Sequence, residues 1–265
     1  MHPLRHSTAR TAAVATGLAA AATLALAAPA GAAGTTTTTA AGSAAATAKY
    51  NAALKAVGVK GVHFSSVAKQ NGAELDVSGD AGKTSGAQTL VVKSSKATER
   101  MQALVVGATG YVKGNEAALA NVIGLTKAES TKYANKWLSF PTSNQGLGEL
   151  VGGLLSSQVS KELEIGGPYT LGKSANVAGQ NATAINGAVA NDSGGKVPVV
   201  LYIPSSGTPL PIQVVTNAGS SGGSSAIHGI VTFSHWGENK SQMAPTNAFS
   251  LLKLVPASSS STTAG

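Results

Sequence analysis

No cysteine occurs anywhere in the chain, so disulfides and thiolate metal sites are closed to it and stability must come from a buried apolar core. Aromatic residues make up only 4% of the sequence and charged residues only 11%. So few rings argue against stacking sugars or single-stranded nucleic acid on exposed aromatic platforms. Arginine is almost missing: after Arg10 only Arg100 occurs, which leaves no planar fork for phosphates or base edges. The formal net charge is +8, but scattered single lysines carry nearly all of it. That pattern excludes a nucleic-acid footprint and implies at most a weak attraction to an anionic envelope surface. Long apolar runs are lacking too, and no segment approaches the ~20 strongly apolar residues of a membrane span.

What is present begins with a basic start, Met1 to Arg10, followed by an Ala/Leu/Val stretch over 12–28 and a small-residue exit at Ala30-Gly31-Ala32. Residues 1–32 therefore read as a secretory signal peptide cleaved near Ala32. The mature protein is expected to work outside the cytoplasm, secreted or in the cell envelope, without a transmembrane anchor. ATP and nicotinamide cofactors are scarce there, and no cofactor is expected. Residues 33–48 form a Thr/Ala/Gly/Ser tract that reads as a flexible linker, and 257–265 as a similar disordered tail. Residues 49–256 remain as one domain, expected to be a monomer. Its small-residue-rich composition suggests a high-GC bacterial source.

The domain opens with Tyr50, Ala53, Leu54 and Val57 at helical spacing before Gly58. Short β-rich runs follow at 59–68, 73–78, 88–93 and 100–106. In the second, Ala73, Leu75 and Val77 alternate with Glu74, Asp76 and Ser78, so one face is dry and the other wet. Helical spacing returns over 115–123, and Thr126 to Glu129 form a capping box. Leu147, Leu150, Val151, Leu154 and Leu155 then fall at i, i+3, i+4, i+7 and i+8, the stripe of an apolar helix. Gly148, Gly152 and Gly153 weaken it by about 1 kcal/mol each relative to alanine. Five more strands are expected at 169–173, 181–189, 197–203, 211–216 and 226–234. Strands, a helical insert and more strands make an α+β antiparallel sheet with helices gathered on one face.

Several motifs tempt and fail on context. Gly167 to Ser174 match the phosphate-loop pattern, yet no helical stripe follows to supply amides to a phosphate. Gly219 to Gly223 match a nucleophile elbow, but inside a Ser/Gly loop rather than a strand-to-helix turn. His63, His228 and His235 are the histidines left after the signal peptide. An odd separation of seven along one strand sends His228 and His235 to opposite faces, so no metal site is expected. Glu74 and Asp76 share a strand face, and nothing in the spacing sets an acid against a base. No catalytic residue is assigned. Asn181-Ala182-Thr183 and Asn191-Asp192-Ser193 fit glycosylation sequons that matter only in a eukaryotic secretory route.

A run of local strings resembles the LppX/LprG family of actinobacterial lipid-carrier lipoproteins, whose fold is similar to that of the LolA/LolB carriers. They are Tyr111-Val112-Lys113-Gly114, Lys136-Trp137-Leu138, the stretch 147–155, Leu201-Tyr202-Ile203 with Pro209-Leu210-Pro211, and 233–238 with Ala244-Pro245 behind. Their order and spacing carry the resemblance, which covers nearly the whole mature domain. It implies a strongly curved antiparallel half-barrel with helices packed in its concave face, and a non-catalytic role holding the acyl chains of a lipid or lipidated molecule. Leu75, Val77, Leu90, Val92, Leu104 and Val106 would line the concave wall. Leu147, Leu150, Val151, Leu154 and Leu155 would form the lid, and Tyr111, Trp137 and Trp236 would be packing anchors. This chain departs from the lipoprotein pattern in lacking the acylated cysteine, which points to sequestration or shuttling rather than tethered transfer. The alternative is a structural or signalling envelope module of the same fold, with its interior filled and no ligand.

Overall fold

The computed structural model describes residues 40–70, 72–190, 195–218 and 227–254. The signal peptide, the linker up to residue 39, the tail, the elbow-like Gly219 to Gly223 and the sequon at 191–193 lie outside them.

Helix α1 (Ala40–Val57) starts well inside the segment read as a linker. Its first half is rich in alanine, the best helix former, and Ala46, Tyr50, Ala53 and Val57 bury one stripe. The Tyr50 hydroxyl donates to the Leu163 carbonyl at 3.4 Å and accepts from the Ile165 amide at 2.8 Å. That tie, together with a tilted ring contact to Tyr169, fixes the helix against the middle of the chain.

Five strands follow as a meander: β1 (Val62–Gln70), β2 (Ala73–Ala81), β3 (Ser85–Lys93), β4 (Thr98–Val106) and β5 (Thr109–Gly114). Helices α2 (Glu116–Asn121) and α3 (Lys127–Tyr133) lead to β6 (Leu138–Pro141). Asn115 caps α2, and Thr126 with Glu129 closes the expected capping box on α3. The insert between β6 and the next strand contains α4 (Gln145–Gly148), a 3-10 turn (Glu149–Val151) and α5 (Ser156–Glu162). A second meander comprises β7 (Gly166–Leu171), β8 (Ala175–Val177), β9 (Gln180–Ala190), β10 (Lys196–Pro204), β11 (Gln213–Ala218) and β12 (Ile227–Ser234). The last strand is the two-residue β13 (Phe249–Ser250).

These thirteen strands form one open, curved sheet in the order β13-β6-β5-β4-β3-β2-β1-β12-β11-β10-β9-β7, with β8 also on β9. Every ladder is antiparallel except β13 on β6. The two meanders meet where β12 pairs with β1, from His63 opposite Ser234 to Lys69 opposite His228. The helices cover the concave face, so the α+β half-barrel architecture is present. Among the described residues no helix is long and apolar enough to cross a membrane.

The expected insert helix over 147–155 is broken. Gly152 adopts an extended conformation and Gly153 a left-handed one at φ +75°, where a side chain would be strained. The apolar stripe is therefore spread over a short helix, a 3-10 turn and a loop.

Candidate functional site

Strand register decides which side chains face the helices. Across β1, β2, β3 and β4, Ser66 pairs with Val77, Val77 with Leu90, and Leu90 with Met101. One step along, Phe64, Gly79, Gln88 and Ala103 form the neighbouring inner row. Paired residues in a ladder point to the same face, so the concave wall includes Leu75, Val77, Leu90 and Val92 together with Phe64, Met101, Ala103 and Val105.

Leu104 and Val106 fall on the opposite, convex face. Leu104 pairs with Ala87 and Tyr111, and Val106 with Ser85 and Thr109, so both must be removed from the concave wall. In β4 the polar Arg100 and Gln102 share the face of Leu104 and Val106, while Met101, Ala103 and Val105 form the other, so alternation along the strand already sets Leu104 and Val106 outward.

The insert sits on this wall. Leu150, Val151 and Leu154 are buried in the same continuous core as Leu75, Val77 and Leu90, with Val92, Leu147 and Leu155 packed against it. Few polar ties hold it there: Gln88 Nε2 donates to the Leu150 carbonyl at 3.1 Å, the Gly82 amide to the Leu154 carbonyl, and the Ser156 amide to the Gly82 carbonyl. At Gly86 an added Cβ would lie 2.0 Å from the Leu154 carbonyl oxygen, so the loop approaches the sheet closely only because that residue has no side chain. No Asp, Glu, Lys or Arg is buried among the described residues. Two buried hydroxyls, Ser66 Oγ and Ser156 Oγ, have no hydrogen-bond partner. By register Ser66 belongs to the concave wall.

The convex face carries a second lining. After β12 the chain turns at His235 (φ +54°) and Gly237 (φ +92°), then crosses the outside of the sheet to reach β13 beside β6. This strap is fastened by Gly237 N to Gly61 O, by Gln242 N to Ser85 Oγ at 2.8 Å, and by Phe249 N to Trp137 O. Lys240 Nζ donates to Asp80 Oδ1 at 2.9 Å. Beside it lies a groove of about 510 Å3 that opens to solvent, with Ser78, Thr89, Gln102 and Met243 exposed along it. Its floor is two outer-face rows: Ser78, Thr89 and Gln102 in one, and Asp80, Ala87 and Leu104 in the next. Gln242, Met243, Pro245 and Trp137 complete it. Leu104 is only 6% exposed although it faces away from the helices, because the strap covers it.

His63 Nδ1 lies 2.9 Å from Asp80 Oδ1 at the edge of this groove. The structure thus sets an acid beside a base where spacing gave no sign of one, since the pairing is made across β1 and β2. Burial works to raise the Asp80 carboxyl, but the hydrogen bonds from Lys240 and His63 outweigh it and hold the group below the ordinary aspartate range. His235 packs edge-on against His63 at 5.9 Å and stands outside β12. Among the described residues no three His, Asp or Glu side chains gather as a metal site. The phosphate-loop match lies in β7 and the turn to β8, with a strand where a nucleotide site needs a helix. Trp236 packs against the core and donates Nε1–H to the Pro211 carbonyl at 2.8 Å, whereas Tyr111, opposite Leu104 and Ser139, is half-buried on the convex face and lies outside that core. Trp137 instead borders the outer groove, with Lys113 Nζ 4.9 Å from its ring centre.

Fold and site together define an open half-barrel with a dry lining inside and a mixed polar and apolar lining outside. The chain is similar to LprF from Mycobacterium bovis, at 13% identity over 76% of this chain and 97% of that one, with a TM-score of 0.48. It is similar to the lipoprotein LppX of Mycobacterium tuberculosis at 16% identity, over 75% and 98% of the two chains, with a TM-score of 0.45. A further likeness is to the MucA/MucB complex of Pseudomonas aeruginosa, at 14% identity, 76% and 61% coverage and a TM-score of 0.38. No protein-family model and no curated protein sequence matches the chain.

Proposed function

We propose that this protein is an exported, non-catalytic lipid-binding protein that takes acyl chains between the concave wall and the insert, which lifts away to admit them. The observation behind this reading is the construction of the insert. Its leucines fill an uncharged aliphatic interior, but they stand on a glycine-interrupted backbone held to the sheet by a few hydrogen bonds. An acyl chain that replaces those leucines against the wall regains about 0.8 kcal/mol per methylene buried. The unpartnered Ser66 hydroxyl could then meet a polar group of the ligand, which removes an unmet hydrogen bond costing about 1–3 kcal/mol. The same leucines also support a second reading, a structural or signalling envelope module, because they already fill the interior.

Native mass spectrometry of the exported protein, purified without detergent, separates the two. The carrier reading expects lipid adducts that organic extraction removes. Since the chain has no cysteine, Leu147→Cys gives a unique labelling site at the half-buried edge of the insert. A polarity-sensitive dye there should respond when lipid micelles are added. Protein free of lipid with an unresponsive dye would overturn the carrier reading and leave the module.

A further inference from the structure

The lining of the outer groove narrows what can occupy it. One row presents the hydroxyls of Ser78 and Thr89 and the amide of Gln102, and Gln242 supplies a second amide from the strap. The adjacent row contains Ala87, whose side chain ends at Cβ and leaves the hollow, above the nearly buried Leu104, and the half-buried Trp137 gives the groove its apolar surface. No lysine or arginine lines the groove, and its one carboxylate, Asp80, is engaged by His63 and Lys240.

The cations nearest the lining are already engaged, Lys240 by Asp80 and Lys113 over the Trp137 ring, so phosphate and carboxylate ligands are disfavoured. An acyl chain would strip water from hydroxyls and amides without replacing their hydrogen bonds, at about 1–3 kcal/mol for each group left buried and unpaired. A neutral ring with hydroxyls at its rim and C–H groups on its faces satisfies both halves of the lining. The volume of about 510 Å3 lies within the ~300–1,000 Å3 typical of small-molecule sites. Rings are rare in this chain, but one of the two tryptophans stands where a sugar would need it.

We propose that the strap-bordered groove on the convex face binds a neutral sugar unit, with Ser78, Thr89, Gln102 and Gln242 hydrogen-bonding its hydroxyls and Trp137 meeting its apolar face. The site is on the other side of the sheet from the interior and does not depend on lipid binding there.

The test is an NMR titration of the full isotope-labelled chain with the methyl glycosides of glucose, galactose and mannose, run beside inorganic phosphate and decanoate. At least one glycoside should shift the Trp137 indole N–H saturably and leave that of Trp236 in place, while phosphate and decanoate leave Trp137 unmoved. Gln102→Ala, on an exposed side chain, and Ala87→Phe, which fills the hollow, should each weaken glycoside binding about tenfold or more. Leu154→Ala, on the concave side, should not change it. The proposal is overturned if no glycoside shifts Trp137, if phosphate or decanoate shifts it instead, or if Gln102→Ala binds as tightly as the parent chain.

Discussion

Glu162, the last residue of α5, is half-buried, and burial pushes its carboxyl above the ordinary glutamate range. Ionisation is therefore harder in the folded protein than in the unfolded chain. Any penalty is absent at pH below the ordinary value of about 4.3 and grows as pH rises through the higher folded value, so the native state loses stability toward neutrality. Glu162→Gln removes the ionising group. Its denaturation midpoint should exceed that of the parent at pH 7 and coincide with it under acid conditions; equal midpoints at both pH values would show that burial there costs nothing.

At the scale of the elements, the insert and the wall work as a pair. Leu154 is fully buried against the sheet, so Leu154→Ala should cost about 2–5 kcal/mol in chemical denaturation, as large-to-small core changes do. If acyl chains enter by displacing this side chain, the same variant binds lipid more tightly, since part of the displacement has already been made. Unchanged or weaker lipid binding would separate the insert from the ligand path. Nine of the strands are legible in the sequence because they alternate or are bounded by Gly, Asn, Asp or Ser: Leu75 and Val77 turn inward as their alternation with Glu74 and Asp76 requires, whereas β5, β6, β8 and β13 are not among the expected runs. Leu104 faces outward with Arg100 and Gln102, as their alternation with Met101 and Ala103 requires, but its own apolar character points the other way, and its pairing with Ala87 and Tyr111 settles the face. The stripe at 147–155 had the spacing of a helix, yet the Gly152-Gly153 pair ended it. The tract at 40–48 reads as linker because it shows no amphipathic period, although alanine favours helix without one. The outer groove had no local signature at all, since its floor is drawn from β2, β3 and β4 and its border from residues about 140 positions further on.

Over the whole molecule, the strap joins the far end of the chain to the centre of the first meander. Asp80 is its pivot, accepting from Lys240 and paired with His63. Because its carboxyl is held below the ordinary value, the stability it contributes is present above the unfolded aspartate value of about 3.9 and is lost as pH falls through the lower folded one. Hydrogen exchange of the Gln242 amide, which donates to Ser85 Oγ, should accelerate in that acid range. Asp80→Asn should produce the same acceleration at neutral pH, with amides of the concave core unaffected; exchange that ignores both changes would mean that the other strap hydrogen bonds suffice.

The strap ends in β13, two residues that pair in parallel with β6 and occupy the flank that β6 would otherwise present. At the other margin β7 contains Pro168, which has no amide hydrogen to offer, and its pairing with β9 slips between Gly166 and Thr170. A long ribbon with a regular border would invite a neighbouring polypeptide to add itself by backbone bonding. Here both borders are short, interrupted or proline-bearing, so lateral growth into fibres is discouraged even though the ribbon is thirteen strands wide.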